Sequence, residues 1–140
     1  MTKERTIYTT EIDRQRLGHL IERVRNQDDR GKFSYINNLE EKLEFAESGA
    51  PEQIPPDVVT MRSKVSFRDL DTDEKYTYTI VFPLEADSDN GKISILAPLA
   101  TALLGYKCGD TVEFEAPARL RRLKIEEILY QPESAGDLNL

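Results

Sequence analysis

The amino-acid sequence predicts an α+β protein, a short N-terminal antiparallel helical hairpin followed by an antiparallel β-sheet domain with one short helix. Two observations carry that reading. Apolar residues recur at three- and four-residue spacing as far as Ala46, then alternate with polar residues at period two from Val58 onward. Between the two patterns, Ser48-Gly49, Pro51, Pro55 and Pro56 form a stretch that no helix continues through. The predicted organisation is therefore a hairpin over residues 1–48, a linker over 49–57 and a sheet domain over 58–140. Charge divides the same way: residues 1–47 hold 9 bases and 10 acids, and the remainder holds 10 bases and 16 acids.

The first helix is expected to start near Thr9 or Thr10, whose hydroxyls can accept a bond from first-turn amides. Glu11 and Asp13 then face the positive end of the helix dipole. Ile12, Leu17, Leu20, Ile21 and Val24 form a narrow apolar stripe, suited to a helix packing on one partner. Residues 27–32 (Gln27 to Lys32, with Gly31) interrupt the pattern with turn-forming chemistry. A second stripe at Ile36, Leu39, Leu43 and Ala46 has the spacing of a coiled-coil seam. A helix from Thr10 to Gln27 is about 27 Å long, and the second helix is shorter. The arm is stubby.

In the sheet domain, Val58-Val59 begins a stretch through Val65 and Phe67 to an acidic turn at Asp69, Asp71 and Asp73. The clearest strand follows, with Tyr76, Tyr78, Ile80 and Phe82 on one face and Pro83 closing it. Asp87 to Gly91 is a turn, and Lys92 to Leu96 a short strand. Pro98 suits the first turn of a helix carrying Leu99, Ala102 and Leu103 on one face, with Gly105 as its stop. Thr111 to Ala116 and Leu120 to Tyr130 are the last strands. A phase slip at Glu126-Glu127-Ile128 in the second of these predicts a bulge. The tail from Gln131 to Leu140 reads as irregular.

Composition removes several function classes. Of 140 residues, one is cysteine and one histidine, so neither a disulfide framework nor a four-ligand zinc site is available. The start lacks a signal-peptide pattern and the apolar runs are short, which points to a reducing, cytoplasmic setting without a membrane span. A net charge of −7 argues against a protein whose main ligand is a phosphate backbone.

The remaining chemistry is sparse. Asp69, Asp71, Asp73 and Glu74 resemble half of a calcium loop, but lack its glycine and distal glutamate, and read more simply as a solvated hairpin tip. Cys108, beside a turn glycine, has no fixed basic partner and reads as a small residue; His19 reads as solvated. Arg119, Arg121, Arg122 and Lys124 offer either a nucleic-acid contact or a charged edge that resists strand addition. Nothing composes an active site, and no cofactor is expected.

The ordered motifs Glu85-Ala86-Asp87, Gly91, Ile93-Ser94, Pro98, Ala102-Leu103-Leu104-Gly105 and Gly109-Asp110 resemble the C-terminal domain of the bacterial Gre transcript-cleavage factors. The likeness covers about half of the chain, and a helical hairpin before that domain agrees with it. A closer resemblance is to the Rnk branch, described as regulators of nucleoside diphosphate kinase. It rests on Pro56-Asp57-Val58-Val59-Thr60-Met61, Ala97-Pro98 and Tyr130-Gln131-Pro132-Glu133. The resemblance implies a coiled-coil arm, an FKBP-like domain, and docking of that domain on the rim of the RNA polymerase secondary channel.

In Gre factors, acids at the hairpin tip help place magnesium and water in the active site of the polymerase. Here the tip offers Asp28 and Asp29, with Gly31 and Lys32 where the Gre pattern has a second acid three residues after the first. That departure, with the short arm, argues against cleavage stimulation. Ala97 also stands where Gre proteins usually carry serine before the proline. The expectation is a non-enzymatic transcription regulator that binds RNA polymerase and competes with Gre factors. It contacts DNA or RNA only inside that complex, and docks through Leu96, Ala97 and Pro98. The alternatives are a true cleavage factor using Asp28 and Asp29, a kinase-binding regulator, and a peptidyl-prolyl isomerase suggested by the fold alone.

Overall fold

The structure is a computed structural model that describes residues 8–27, 33–50, 54–115 and 120–135. α1 (Glu11–Gln27) opens where the Thr10 hydroxyl accepts the Asp13 amide at 2.9 Å, the N-cap that the sequence favours. α2 spans Phe33–Phe45. Arg25, late in α1, donates to Glu40 and Asn37 of α2 at 2.7–2.8 Å. Arg14, early in α1, reaches Ser48 just past α2 at 2.7 Å. The start of α1 therefore lies beside the end of α2.

Leu17, Leu20 and Ile21 of α1 and Ile36, Leu39 and Leu43 of α2 are buried, as their spacing requires. Ile12 departs from the expected stripe and is 39% exposed. Its neighbour Asp13 is buried instead, because its carboxylate accepts the Met61 amide at 3.2 Å. Flanking the helices, β1 (Tyr8–Thr10) and β2 (Glu47–Gly49) pair in parallel. Ser48-Gly49 is thus a strand rather than the plain helix stop expected of it.

Five strands form the main sheet: β3 (Lys64–Asp69), β4 (Lys75–Val81), β5 (Lys92–Ser94), β6 (Thr111–Glu115) and β7 (Leu120–Tyr130), in the order β5-β4-β3-β7-β6. The expectation of an antiparallel sheet holds for every pair but one. β4 and β5 run parallel, with Val81 opposite Ser94. Two 3₁₀ turns, Pro83–Glu85 and Ser88–Asn90, carry the chain back before β5 starts, and Gly91 completes the return at φ 70°. That left-handed conformation suits glycine.

Three further departures have local causes. Val58 and Val59 are fully buried but precede the sheet: Val59 exchanges bonds with Tyr106 and Gly105, and Arg62 at φ 67° turns the chain before β3. α3 (Pro98–Leu103) starts at Pro98 as expected, yet buries Ala100, Thr101 and Leu103 and leaves Leu99 and Ala102 half-buried. Thr101 tolerates burial because its hydroxyl donates to the Ile95 carbonyl at 2.6 Å. The tail is not wholly irregular, since α4 (Pro132–Ala135) adds one helical turn. Gln131, before it, is buried and donates to the carbonyls of Pro55 and Val58.

The bulge in β7 stands where the phase slip places it. Ser66 of β3 opposes Glu127 and Phe67 opposes Ile125, so Glu126 is the extra residue. Phe67 stacks on Tyr76 with ring centroids 5.6 Å apart. One continuous cluster joins the buried leucines and isoleucines of α1 and α2 to Val59, Met61, Phe67, Ile80, Leu103, Leu123 and Ile125.

Candidate docking surface

Because β4 and β5 are parallel neighbours, they end at the same border of the sheet. The Ile95 amide donates to the Val81 carbonyl at 2.8 Å, which fixes that border. From it two segments leave: Phe82 to Glu85 after β4, which turns back against β5, and Leu96-Ala97-Pro98 after β5. Leu96, Ala97 and Pro98 are all half-buried, and Leu96 and Ala97 rest on the core. A strand-to-helix junction can leave first-turn amides without partners. At two positions it does not: the Leu96 amide bonds the Ser94 hydroxyl at 3.1 Å and the Ala97 amide bonds the Ser94 carbonyl at 2.9 Å. What the junction presents is a braced apolar ledge with a rigid proline at its lip.

The neighbouring segment is braced by a residue that sequence reading passed over. Arg62 reaches from the turn before β3 and grips both oxygens of Glu85 at 3.0–3.1 Å, with its guanidinium 5.4 Å from the centre of the Phe82 ring. Glu85 also accepts the Phe82 amide at 3.4 Å. Leu84, in the middle of this clamp, is 97% exposed. The available signal was a leucine inside an otherwise turn-forming run from Pro83 to Gly91.

Lys42 connects α2 to the same region. Its ammonium donates to the Thr101 and Ala102 carbonyls at 2.7 and 2.8 Å, and lies 4.5 Å from the Tyr106 ring centre. These carbonyls close the C-terminal end of α3, where unpaired oxygens and the helix dipole favour a cation. Burial pushes Lys42 down to about 7.

The acidic turn and the basic cluster, read separately from the sequence, are one network. Asp69 is buried, accepts the amides of Asp71 and Thr72 at 2.9 and 3.2 Å, and pairs with Arg121 at 2.7 Å. Burial acts to raise its carboxyl, but the Arg121 guanidinium and the two amides override this and hold it at about 2. Arg122 pairs with Asp71 at 2.8 Å, and Arg68 bridges Glu126 and Asp73. β7 lies between β3 and β6, so its arginines are not a guard on a sheet edge. Lys124 is exposed, and Arg119 falls outside the described residues.

Asp28 and Asp29 lie outside the described residues. His19 is exposed on α1, and the exposed Cys108 donates its thiol to the Glu126 carbonyl at 3.0 Å. Among the described residues, no three of the His, Cys, Asp and Glu side chains gather as a metal site, and no helix is long and apolar enough to cross a membrane.

Residues 54–130, which contain both braced segments, match the family model described as transcription elongation factor, GreA/GreB, C-terminal. Over 133 residues the chain is 36% identical to the regulator of nucleoside diphosphate kinase of Escherichia coli (strain K12), covering 94% of this chain and 95% of that relative. It is 40% identical over 90 residues to the transcription elongation factor GreA of Limosilactobacillus fermentum, covering 64% of this chain and 57% of that protein. A solved structure, a prokaryotic transcription elongation factor GreA/GreB from Nitrosomonas europaea, aligns with a TM-score of 0.72 and 38% identity. That alignment spans 91% of this chain and all of the other.

Proposed function

The chain belongs to the GreA/GreB family of transcription elongation factors, and from that premise we propose that it is a non-enzymatic transcription regulator which binds RNA polymerase at the rim of the secondary channel and competes there with Gre factors. In this reading α1 and α2 form a short coiled-coil arm, and the sheet with α3 forms an FKBP-like docking domain. The supporting observation is the Leu96-Ala97-Pro98 ledge. It lies within the family-matched region, it is braced from beneath, and it presents apolar surface at a border where no element of the described chain covers it fully. A rigid, partly apolar junction suits a protein partner better than a phosphate backbone, and the net charge of −7 agrees.

The deciding experiment is association with purified core RNA polymerase, measured with and without a competing Gre factor. Binding that the Gre factor displaces supports the proposal, and no association at roughly micromolar concentration overturns it. A second reading has its own observation, the 36% identity to a regulator of nucleoside diphosphate kinase. Binding to a purified nucleoside diphosphate kinase, with none to polymerase, would establish that reading instead.

A further inference from the structure

We propose that Leu84 is a hydrophobic anchor of the polymerase contact, held out by the Arg62–Glu85 clamp and acting together with the Leu96-Ala97-Pro98 ledge. This inference rests on the polymerase-binding reading and adds to it a residue and a socket. Leu84 is almost wholly exposed, at 97%, whereas the other exposed leucines of the described chain, Leu70, Leu120 and Leu129, lie between 41% and 51%. A single exposed leucine is ordinary on a protein surface. An exposed leucine on a braced turn is less so.

Three features give Leu84 that brace. Pro83 fixes the backbone just before it. Glu85, just after it, is gripped by Arg62 through both carboxylate oxygens, at distances of 3.0–3.1 Å. Arg62 itself is held at φ 67°, and its amide donates to the Ile80 carbonyl at 2.6 Å. A forked arginine–carboxylate pair defines direction as well as distance. The backbone that carries Leu84 is therefore held in place, so the turn has little freedom left to lose on binding, and only the leucine side chain itself has to be ordered.

Topology supplies the occupant. Val81 stands opposite Ser94 in the parallel β4–β5 pair, so the chain leaves the same border of the sheet two residues before Pro83-Leu84 on one strand and before Leu96-Ala97 on the other. The Pro83–Glu85 turn packs back against β5. Whatever docks on the ledge meets Leu84 as well. The partner is therefore the same RNA polymerase surface, and it carries an apolar socket for a leucine next to the seat of Pro98. Asp87 and Asp89, both exposed a few residues further on, call for basic residues at the margin of that socket.

The test compares full-length wild type with Leu84→Ala, Leu84→Asp and, as a control for surface leucines in general, Leu129→Ala, in binding to core RNA polymerase. Leu84→Ala is expected to weaken binding about 10-fold or more, and Leu84→Asp further, as for a desolvated anchor. Leu129→Ala is expected to leave binding unchanged. Thermal midpoints of the Leu84 variants should match wild type, since the side chain touches solvent. Wild-type binding with undiminished Leu84→Ala binding overturns the anchor and spares the polymerase-binding reading. Equal losses at Leu84 and Leu129 also overturn it, by showing general surface stickiness. Absence of wild-type binding removes both together.

Discussion

Lys42 holds its ammonium 4.5 Å from the centre of the Tyr106 ring while donating to the last carbonyls of α3, so one half-buried lysine fastens the second helix to the sheet side of the molecule. Among the described residues no carboxylate pairs with it. Burial pushes Lys42 from 10.5 down to about 7. Between those values the unfolded chain binds a proton that the folded chain does not, so stability rises with pH across that window. The slope from this group reaches at most about 1.4 kcal/mol per pH unit and vanishes below about 7. Lys42→Met removes it. The stability of wild type relative to Lys42→Met, from denaturant titrations at about pH 6 to about pH 10, is expected to grow with pH. A flat difference would refute this.

Asp69 and Arg121 give the opposite sign. The folded carboxyl lies at about 2 against an ordinary 3.8, so the stability it contributes is complete above about pH 4 and is lost as pH falls through about 2. Arg121→Ala strands a carboxylate in the interior and is expected to cost on the order of 2–3 kcal/mol, at the lower end for such pairs because Arg121 is itself partly exposed. Asp69→Asn should flatten the acid limb of an unfolding curve followed by circular dichroism. An unaltered limb would assign acid sensitivity to other carboxylates.

What was legible in the sequence had a period long enough to count. The bulge at Glu126 was visible because β7, at eleven residues, is long enough to show an alternation that breaks; a second register shift, which leaves Leu129 unmatched between Ile128 and Tyr130, left no such mark. The seams of α1 and α2 were visible for the same reason. β1 and β2, of three residues each, are too short to show a period, and their partner is a distant strand. Val58-Val59 misled because a short apolar run looks the same before a sheet as within one. At the docking surface, proline marked the junction at Pro98. Nothing marked Arg62, since arginine has no preference for a left-handed turn, and Leu84 was marked only by standing as a leucine in an otherwise turn-forming run from Pro83 to Gly91.

The ledge itself is tested by crowding it. Replacing Ala97 with glutamate and Pro98 with arginine places charge on a half-buried apolar surface that a partner must desolvate. Binding to core polymerase is expected to fall about 10-fold or more, with an unchanged circular dichroism spectrum. Undiminished binding would move the contact elsewhere.

Deleting residues 1–48 probes the two-part organisation. The fragment loses the leucines and isoleucines that share one buried cluster with Val59, Met61, Ala100 and Leu103, and loses the Asp13 acceptor of the Met61 amide. It keeps the five-stranded sheet and the Phe67–Tyr76–Tyr78 stack. The expected outcome is a cooperative thermal transition at a lower midpoint. A transition without cooperativity would make the helices part of one indivisible core.

At the tip, Asp28 and Asp29 are expected to have little or no part in transcript cleavage. A carboxylate assists metal chemistry only from coordination distance, about 2.0–2.1 Å for magnesium. α1 has 17 residues and is therefore about 25 Å long. An arm of that length, docked on the same rim as a longer one, falls short by about 5.4 Å for each missing turn, which no side-chain rotation recovers. Gly31 and Lys32, where the Gre pattern has its second acid, remove half of the ligand set as well. Turn formation is sufficient reason for the sequence Asp28-Asp29-Arg30-Gly31. In a backtracked elongation complex with labelled RNA, the protein is expected to leave the cleavage rate unchanged, and to slow cleavage stimulated by an added Gre factor. Faster cleavage with this protein alone, abolished by Asp28→Asn with Asp29→Asn, would make it a cleavage factor.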